Sequence, residues 1–206
     1  TSTNSSIGLI YALKKIFMFN INYFLKNIQI IKSKIKEENP VFFVSTNLFN
    51  LGLDPSNLKK VSETLFSELI QIKGSTVLVP TASLHILDTG ETFELRNTKS
   101  SRMGFFSEYI RNKRNSIRSN HPIWSFSAIG KNSKKILKNI PKSCYGYDSV
   151  FDRLLKYNTY YICLGDIRKS IAPIHYVEQI VGVPYRFFKE FKEKIKNKNK
   201  IKKETI

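Results

Sequence analysis

The sequence predicts an α/β fold, because a strand, a helix and a second strand follow one another between residues 41 and 80. Residues 41–44 form an apolar, β-favouring run that ends in a polar loop, which is typical of a buried strand. In residues 55–72 the apolar side chains recur at spacings of three and four, which indicates an amphipathic helix, and residues 75–80 form the next strand. Such a strand–helix–strand unit is typical of layered α/β folds.

Shorter patterns predict the elements that follow this unit. We expect residues 83–100 to form a loop with little regular structure, and the segment from residue 185 onward to form a Lys-rich helix or a frayed tail. The other predicted elements are helices at 103–111 and 174–181 and strands at 123–128 and 160–165.

The chain of 206 residues is long enough for one substantial domain. We place this domain at residues 40–188, between an N-terminal apolar helical segment (1–39) and a Lys-rich C-terminal tail (189–206). Residues 7–31 are apolar but interrupted by Lys and Asn, so we expect no spanning helix there. This stretch either packs an apolar helix face on the domain or lies at a membrane surface. It lacks a small-residue cleavage site, which argues against a signal peptide, and Thr1 in place of Met is typical of a fragment or processed form.

The chain is strongly basic, with 34 Lys and Arg against 16 Asp and Glu and a formal net charge of +18. Such a charge is typical of proteins that bind polyanions, but a general bias towards Lys would also supply it. No recognition helix or aromatic stacking motif accompanies the charge, so we expect no specific nucleic-acid binding. Cys144 and Cys163 form neither a CxxC pair nor a disulfide framework, which favours a reducing, cytoplasmic location.

Two of the three histidines have settings that leave their roles open. We interpret His85, in the expected loop, as an ordinary surface residue. His121 directly follows the basic stretch 111–118 and precedes Pro122. That setting suits a loop beside an anionic ligand and suits a structural, hydrogen-bonded histidine equally well.

His175 is the strongest candidate for chemistry, because it stands near the start of a predicted helix with Glu178 three positions on. Residues at this spacing share a helix face, so we expect both side chains to line one pocket rather than to bond each other directly. A carboxylate beside an imidazole favours general-base chemistry near neutral pH. An HxxE pair also occurs by chance on surface helices, and three histidines are too few to predict a metal site.

Two polar segments lie where a ligand could meet exposed backbone N–H groups. They are Ser45, Thr46 and Asn47, which follow a strand, and Ser101, Arg102, Met103 and Gly104, which open a helix. Such segments also serve simply as helix or strand caps.

Five segments of the sequence, in this order and spacing, resemble the aminoglycoside 3-N-acetyltransferase family. They are VFFVSTNLFNLG (41–52), GSTVLVPT (74–81), SRMGFFSEYIRNKRNSIRSNHPIWSFSAIG (101–130), YGYDSVFDRLL (145–155) and YYICLGD with IHYVEQIVGVPYR (160–186). Two departures are Ser45, where the family commonly has His, and Ser100, where it commonly has Pro. The resemblance covers about residues 40–186, and family members continue past GVPYR, where this chain becomes Lys-rich.

This resemblance implies a three-layer α/β/α sandwich with a mixed sheet and an acetyl-CoA-dependent N-acetyltransferase that uses no metal. It implies that His175 is the general base, that Glu178 supports it, and that His121 lines the site. It also implies that the segments 45–47 and 101–104 hold the thioester and pantetheine of acetyl-CoA.

The acceptor is left open between three alternatives. The resemblance implies an amino group of an aminoglycoside or related amino sugar. The basic charge favours an anionic, nucleotide-linked amino sugar of surface-polysaccharide synthesis. The Lys-rich end favours a truncated, non-catalytic remnant, and the sequence predicts no oligomeric state.

Overall fold

A mixed β-sheet forms the centre of the molecule in the computed structural model, which describes residues 21–165, 172–197 and 200–206. The strands are β1 (Val41–Thr46), β2 (Thr76–Pro80), β3 (Phe93–Glu94), β4 (Ile117–Arg118), β5 (Phe126–Gly130), β6 (Thr159–Leu164), β7 (Lys192–Asn197) and β8 (Lys200–Thr205). Five of them form the main sheet in the order β4-β5-β2-β1-β6. β1 is parallel to β2 and β6, whereas β5 is antiparallel to β2 and β4. The mixed sheet is therefore confirmed.

Helices cover both faces of this sheet. They are α1 (Ile21–Lys34), α2 (Leu58–Ile70), α3 (His85–Thr89), α4 (Phe105–Arg111), α5 (Ser133–Leu137), α6 (Val150–Leu154) and α7 (Pro173–Val181), with 3₁₀ turns at Leu48–Leu51 and Pro55–Asn57. On one face, α1, α2 and α4 pack with Phe42 and Val44. On the other face, α5 and α6 pack with Val41 and Phe43. Because alternate residues of β1 point to opposite faces, this single strand belongs to both cores, and the three-layer sandwich is confirmed.

The strand–helix–strand unit forms as the periodicity predicts. β1 and β2 are parallel neighbours in which Val41 lies opposite Thr76. The Asp54 side chain accepts a hydrogen bond from the amide of Ser56 and so begins the 3₁₀ turn that leads into α2. Of the later elements, α4, β6 and α7 lie within two residues of their predicted bounds, and β5 lies slightly later than expected.

Two predictions about irregular segments are wrong. Residues 83–100 contain the helix α3 and the strand β3 instead of an unstructured loop. The closing segment forms an antiparallel hairpin of β7 and β8 instead of a helix or frayed tail, and β7 pairs with β3. Ile195 explains the hairpin's position, because it is buried against Ile86 and Phe93. The division of the chain at residues 39 and 188 stays a prediction.

The N-terminal apolar stretch is partly described. Residues 7–20 lie outside the described residues, whereas α1 forms within the predicted segment and buries Phe24 and Ile28 against the core. Packing on the domain is thus the observed alternative for α1. No helix in the described ranges is long and apolar enough to cross a membrane.

Candidate active site

The predicted pair on α7 is in direct contact. His175 Nδ1 lies 3.0 Å from Glu178 Oε2, so the expectation of a shared pocket without direct bonding is wrong. Pro173 occupies the first turn of α7, and Gly182 ends the helix with φ +73°. Hydrogen bonding from His175 holds the pKa of the Glu178 carboxyl below its usual range. A carboxylate accepts only, so Nδ1 carries the proton and Nε2 of a neutral ring is free to accept one.

Three further side chains complete the surroundings of this pair. Arg186 Nη1 donates to the His175 carbonyl oxygen at 3.0 Å and to Glu178 Oε2 at 3.2 Å. The Tyr185 hydroxyl donates to Glu178 Oε1 at 3.2 Å. The Tyr145 ring stands edge-on to the His175 ring, with 5.4 Å between centroids, and the Arg186 guanidinium lies 5.3 Å from the Tyr145 centroid. Sequence reasoning assigned none of these three a role, although all lie within the motifs that carry the resemblance.

His121 is buried, and both of its ring nitrogens have backbone partners. Nδ1 accepts from the amides of Ile123 at 3.2 Å and Trp124 at 2.9 Å, so Nε2 donates to the carbonyl oxygen of Lys142 at 2.9 Å. Burial lowers the pKa of His121, which keeps the ring neutral. This is the structural alternative that the sequence left open. Through Lys142 the ring holds the segment that leads into Tyr145. The role of His121 in lining the site stays a prediction.

The polar segment 45–47 lies at the carboxyl end of β1. Ser45 and Thr46 are paired with β6, and the Asn47 amide donates to the carbonyl oxygen of Leu164 at 2.7 Å. Burial raises the pKa of Tyr161 to about 12, and its hydroxyl lies beside the Ser45 side chain and the backbone of Ala172. Since Ala172 directly precedes α7, this tyrosine lies between the end of β1 and the start of the helix that carries His175.

The segment 101–104 meets the end of β1. Gly104 has φ +84°, and a Cβ placed there would lie only 2.7 Å from the Thr46 carbonyl oxygen, so only glycine fits this close approach. Arg102 is exposed and Met103 half-buried. Ser101 donates its amide to the carbonyl oxygen of Ala82 at 2.7 Å. The two predicted donor-binding segments are therefore adjacent.

His85 differs from the surface loop residue that the sequence predicted. It begins α3 and is half-buried, and its Nδ1 lies 2.5 Å from Ser101 Oγ. The prediction for His85 failed because its partner Ser101 lies sixteen positions away, and no periodic pattern links these two residues.

Sequence comparison decides the family. A sequence model of the aminoglycoside 3-N-acetyltransferase family matches residues 60–205. The chain belongs to this family. It is therefore an acyltransferase of the aminoglycoside 3-N-acetyltransferase type. A comparison with curated proteins gives no match.

Solved structures agree with the fold of this family member. The YokD protein from Bacillus subtilis superposes with a TM-score of 0.71 at 22% identity, over 86% of this chain and 77% of that chain. AAC-IIIb, solved with CoASH, gives a TM-score of 0.72 at 16% identity, over 86% and 72% of the two chains. AAC-VIa bound to sisomicin gives 0.72 at 17% identity, over 86% and 72%.

Two charged residues of the basic stretch support this family member's fold from inside. Arg118 is buried and donates to the carbonyl oxygens of Thr81, Thr98 and Leu95 and to the hydroxyls of Ser83 and Ser125. Its burial lowers its pKa to about 10.

Arg111 pairs with Glu108 at 2.8 Å. Burial alone would raise the pKa of Glu108, but hydrogen bonds from Arg111 and Ser100 lower it to about 2. Both arginines are thus engaged inside the protein rather than presented to an anionic ligand. Among the described residues, no three His, Cys, Asp or Glu side chains cluster as metal ligands would.

Proposed function

We propose that this chain transfers the acetyl group of acetyl-CoA to a primary amine of an amino sugar, with His175 as the general base. The contact between His175 Nδ1 and Glu178 supports this proposal most directly. It orients the ring and leaves Nε2 unprotonated, and the His175 side chain is 44% exposed, so an acceptor can reach it.

The chemistry needs such a base because a protonated amine cannot attack a thioester. His175 Nε2 takes a proton from the acceptor nitrogen as that nitrogen bonds to the carbonyl carbon. The C–S bond then breaks, and the leaving thiolate receives the proton from the imidazolium. Glu178 stabilises the imidazolium in between, and the hydrogen bonds from His175 and Tyr185, with a smaller contribution from the charge of Arg186, keep that carboxylate ionised.

The donor is proposed to lie along the adjacent segments 45–47 and 101–104. Their contact through Gly104 and Thr46 brings both segments to one edge of the sheet. The Asn47 and Ser101 amides already donate to Leu164 and Ala82, so the amides of Arg102 and Met103 are the ones proposed to meet the donor. Amides of this kind can bind the thioester oxygen as negative charge develops on it. The structural similarity to AAC-IIIb, which is solved with CoASH, supports the same donor here.

Two classes of acceptor have separate support. The similarity to AAC-VIa, solved with sisomicin, favours an aminoglycoside. The net charge of +18 favours an anionic acceptor such as a nucleotide-linked amino sugar, because a basic surface attracts anions and repels a polycation.

The test is the rate of thiol release from acetyl-CoA with panels of aminoglycosides and nucleotide-linked amino sugars. We expect acceptor-dependent release that His175→Ala abolishes and that Val177→Ala, an exposed change on the same helix, leaves intact. A salt series separates the acceptors, because 0.1 M salt screens exposed charges that are more than about 10 Å apart. Added salt should therefore lower kcat/KM for an anionic acceptor and leave it unchanged or raise it for a polycation. No acceptor-dependent release from a folded chain would favour the non-catalytic remnant.

A further inference from the structure

A serine, a histidine and a glutamate lie in series outside the α7 site. Ser101 Oγ lies 2.5 Å from His85 Nδ1, and His85 Nε2 lies 3.6 Å from Glu91 Oε2. The proposed amine acetylation uses neither His85 nor Glu91. The three side chains run from the half-buried Ser101 to the exposed Glu91, so the serine end of the series faces inward and the carboxylate end meets solvent.

The catalytic arrangement uses one tautomer of His85. Ser101 Oγ accepts from the His85 amide at 3.0 Å, and in this tautomer its own proton is donated to Nδ1, which is the unprotonated nitrogen. The Nε2 proton faces the Glu91 carboxylate, whose charge favours the imidazolium that would form on proton uptake. A hydroxyl oxygen has two lone pairs, and one on Ser101 is still available for attack on a carbonyl carbon.

The backbone around Ser101 is held in place. The Ser101 amide bonds to Ala82, and the buried Arg118 binds the neighbouring Thr81 and Ser83. The next residue, Arg102, has φ +55°, a conformation that is uncommon for a residue with a side chain and that clusters at functional sites. Within the described chain, the amides of Arg102 and Met103 donate no hydrogen bond, so both are available to a developing oxyanion.

We propose that Ser101 is a nucleophile activated by His85 and that it hydrolyses acyl esters and thioesters through an acyl-serine. Ser101 Oγ bonds to the acyl carbon while Nδ1 of His85 takes the hydroxyl proton, and the bond to the leaving thiolate or alkoxide breaks as His85 protonates it. Water, deprotonated by His85, then attacks the acyl-serine, and Ser101 recovers its proton as the free acid leaves. The choice of a thioester as the natural substrate rests on the proposed function. The assignment of Ser101 as a nucleophile rests only on its contact with His85.

The test uses p-nitrophenyl acetate, an activated ester that needs no CoA site. We expect the full chain to release nitrophenolate without an acceptor and to carry one acetyl group on Ser101 when quenched early and mapped by mass spectrometry. Ser101→Ala and His85→Ala should each lose roughly 10²–10⁴-fold in rate. Ser100→Ala is the matched control, because it removes the neighbouring serine hydroxyl and retains the amide bond to Glu108.

Labelling of the unmodified chain with a fluorophosphonate covers the case in which the variants fail to fold, because the reagent should modify Ser101 selectively. Normal hydrolysis by folded Ser101→Ala, or labelling that spares Ser101, would overturn the proposal. His175→Ala should abolish amine acetylation and retain ester hydrolysis. Acylation of Ser101 by the ester but not by acetyl-CoA would reject thioester hydrolysis, while leaving Ser101 established as a nucleophile towards esters.

Discussion

The α7 site and the Ser101 site are held in opposite ways. α7 buries none of its side chains, and its His175–Glu178 pair is fixed by partly exposed contacts from Arg186 and Tyr185. Ser101 instead belongs to a segment fastened from within by the fully engaged Arg118. A substitution at the first site should therefore change chemistry with little change in stability. A substitution of a buried residue that supports the Ser101 site, such as Arg118, should mainly lower the stability of the fold.

His175→Ala should have the largest effect on activity. Loss of a general base lowers the rate of acetyl transfer by roughly 10²–10⁴-fold. Because the side chain is 44% exposed, the melting temperature should shift little, and acetyl-CoA should still raise it by binding the folded chain. Steady-state rates and thermal melts with and without acetyl-CoA measure both. Near-normal turnover by the purified, folded variant would refute the assignment of the base.

Arg118→Ala should have the largest effect on stability. It removes five hydrogen-bond donors from a buried position and deprives the carbonyl oxygens of Thr98 and Leu95 of this donor, whereas the Thr81 oxygen keeps the Ser125 hydroxyl. We expect a loss of about 3–4 kcal/mol in the free energy of unfolding. Urea denaturation measures it, with the exposed Arg114→Ala as control, which should change stability by about 0.5 kcal/mol or less. Equal stability of the two variants would break the contrast between the sites.

Periodicity predicted the parts of the molecule that depend on local pattern. The continuous apolar run of residues 41–44 and the three-and-four spacing of α2 define the central unit, and the spacing of His175 and Glu178 places them on one face. The contacts that complete the sites join distant positions, such as Ser101 to His85, and Arg186 to His175, which no periodicity encodes. The hairpin β7–β8 was missed because a Lys-rich segment resembles a solvated helix, and its packing against the domain depends on the isolated apolar residues Ile195 and Ile206.

Arg186→Ala should have the smallest effect and sharpen the account of α7. The guanidinium donates to Glu178 Oε2 and to the His175 carbonyl oxygen, so its loss should lower kcat/KM about tenfold, the equivalent of one hydrogen bond to a charged group. Burial raises the pKa of a carboxyl, whereas a nearby cation lowers it. The pKa of Glu178 is below its usual value chiefly because His175 bonds to it, with a smaller contribution from Arg186.

Removing that cation therefore raises the pKa of Glu178, and the carboxylate becomes protonated at a higher pH than in the unmodified chain. Protonation of Glu178 should appear in the pH profile of kcat/KM as a further fall below the pH at which the imidazole itself is protonated. This further fall should move upward in pH in Arg186→Ala, whereas Arg114→Ala should leave it in place. Arg186→Lys should restore most of the profile, because it keeps the charge, but less of the rate, because an ammonium has no planar guanidinium to lie over the Tyr145 ring. A profile unchanged in all three variants would show that Arg186 supports the fold of α7 without acting on Glu178.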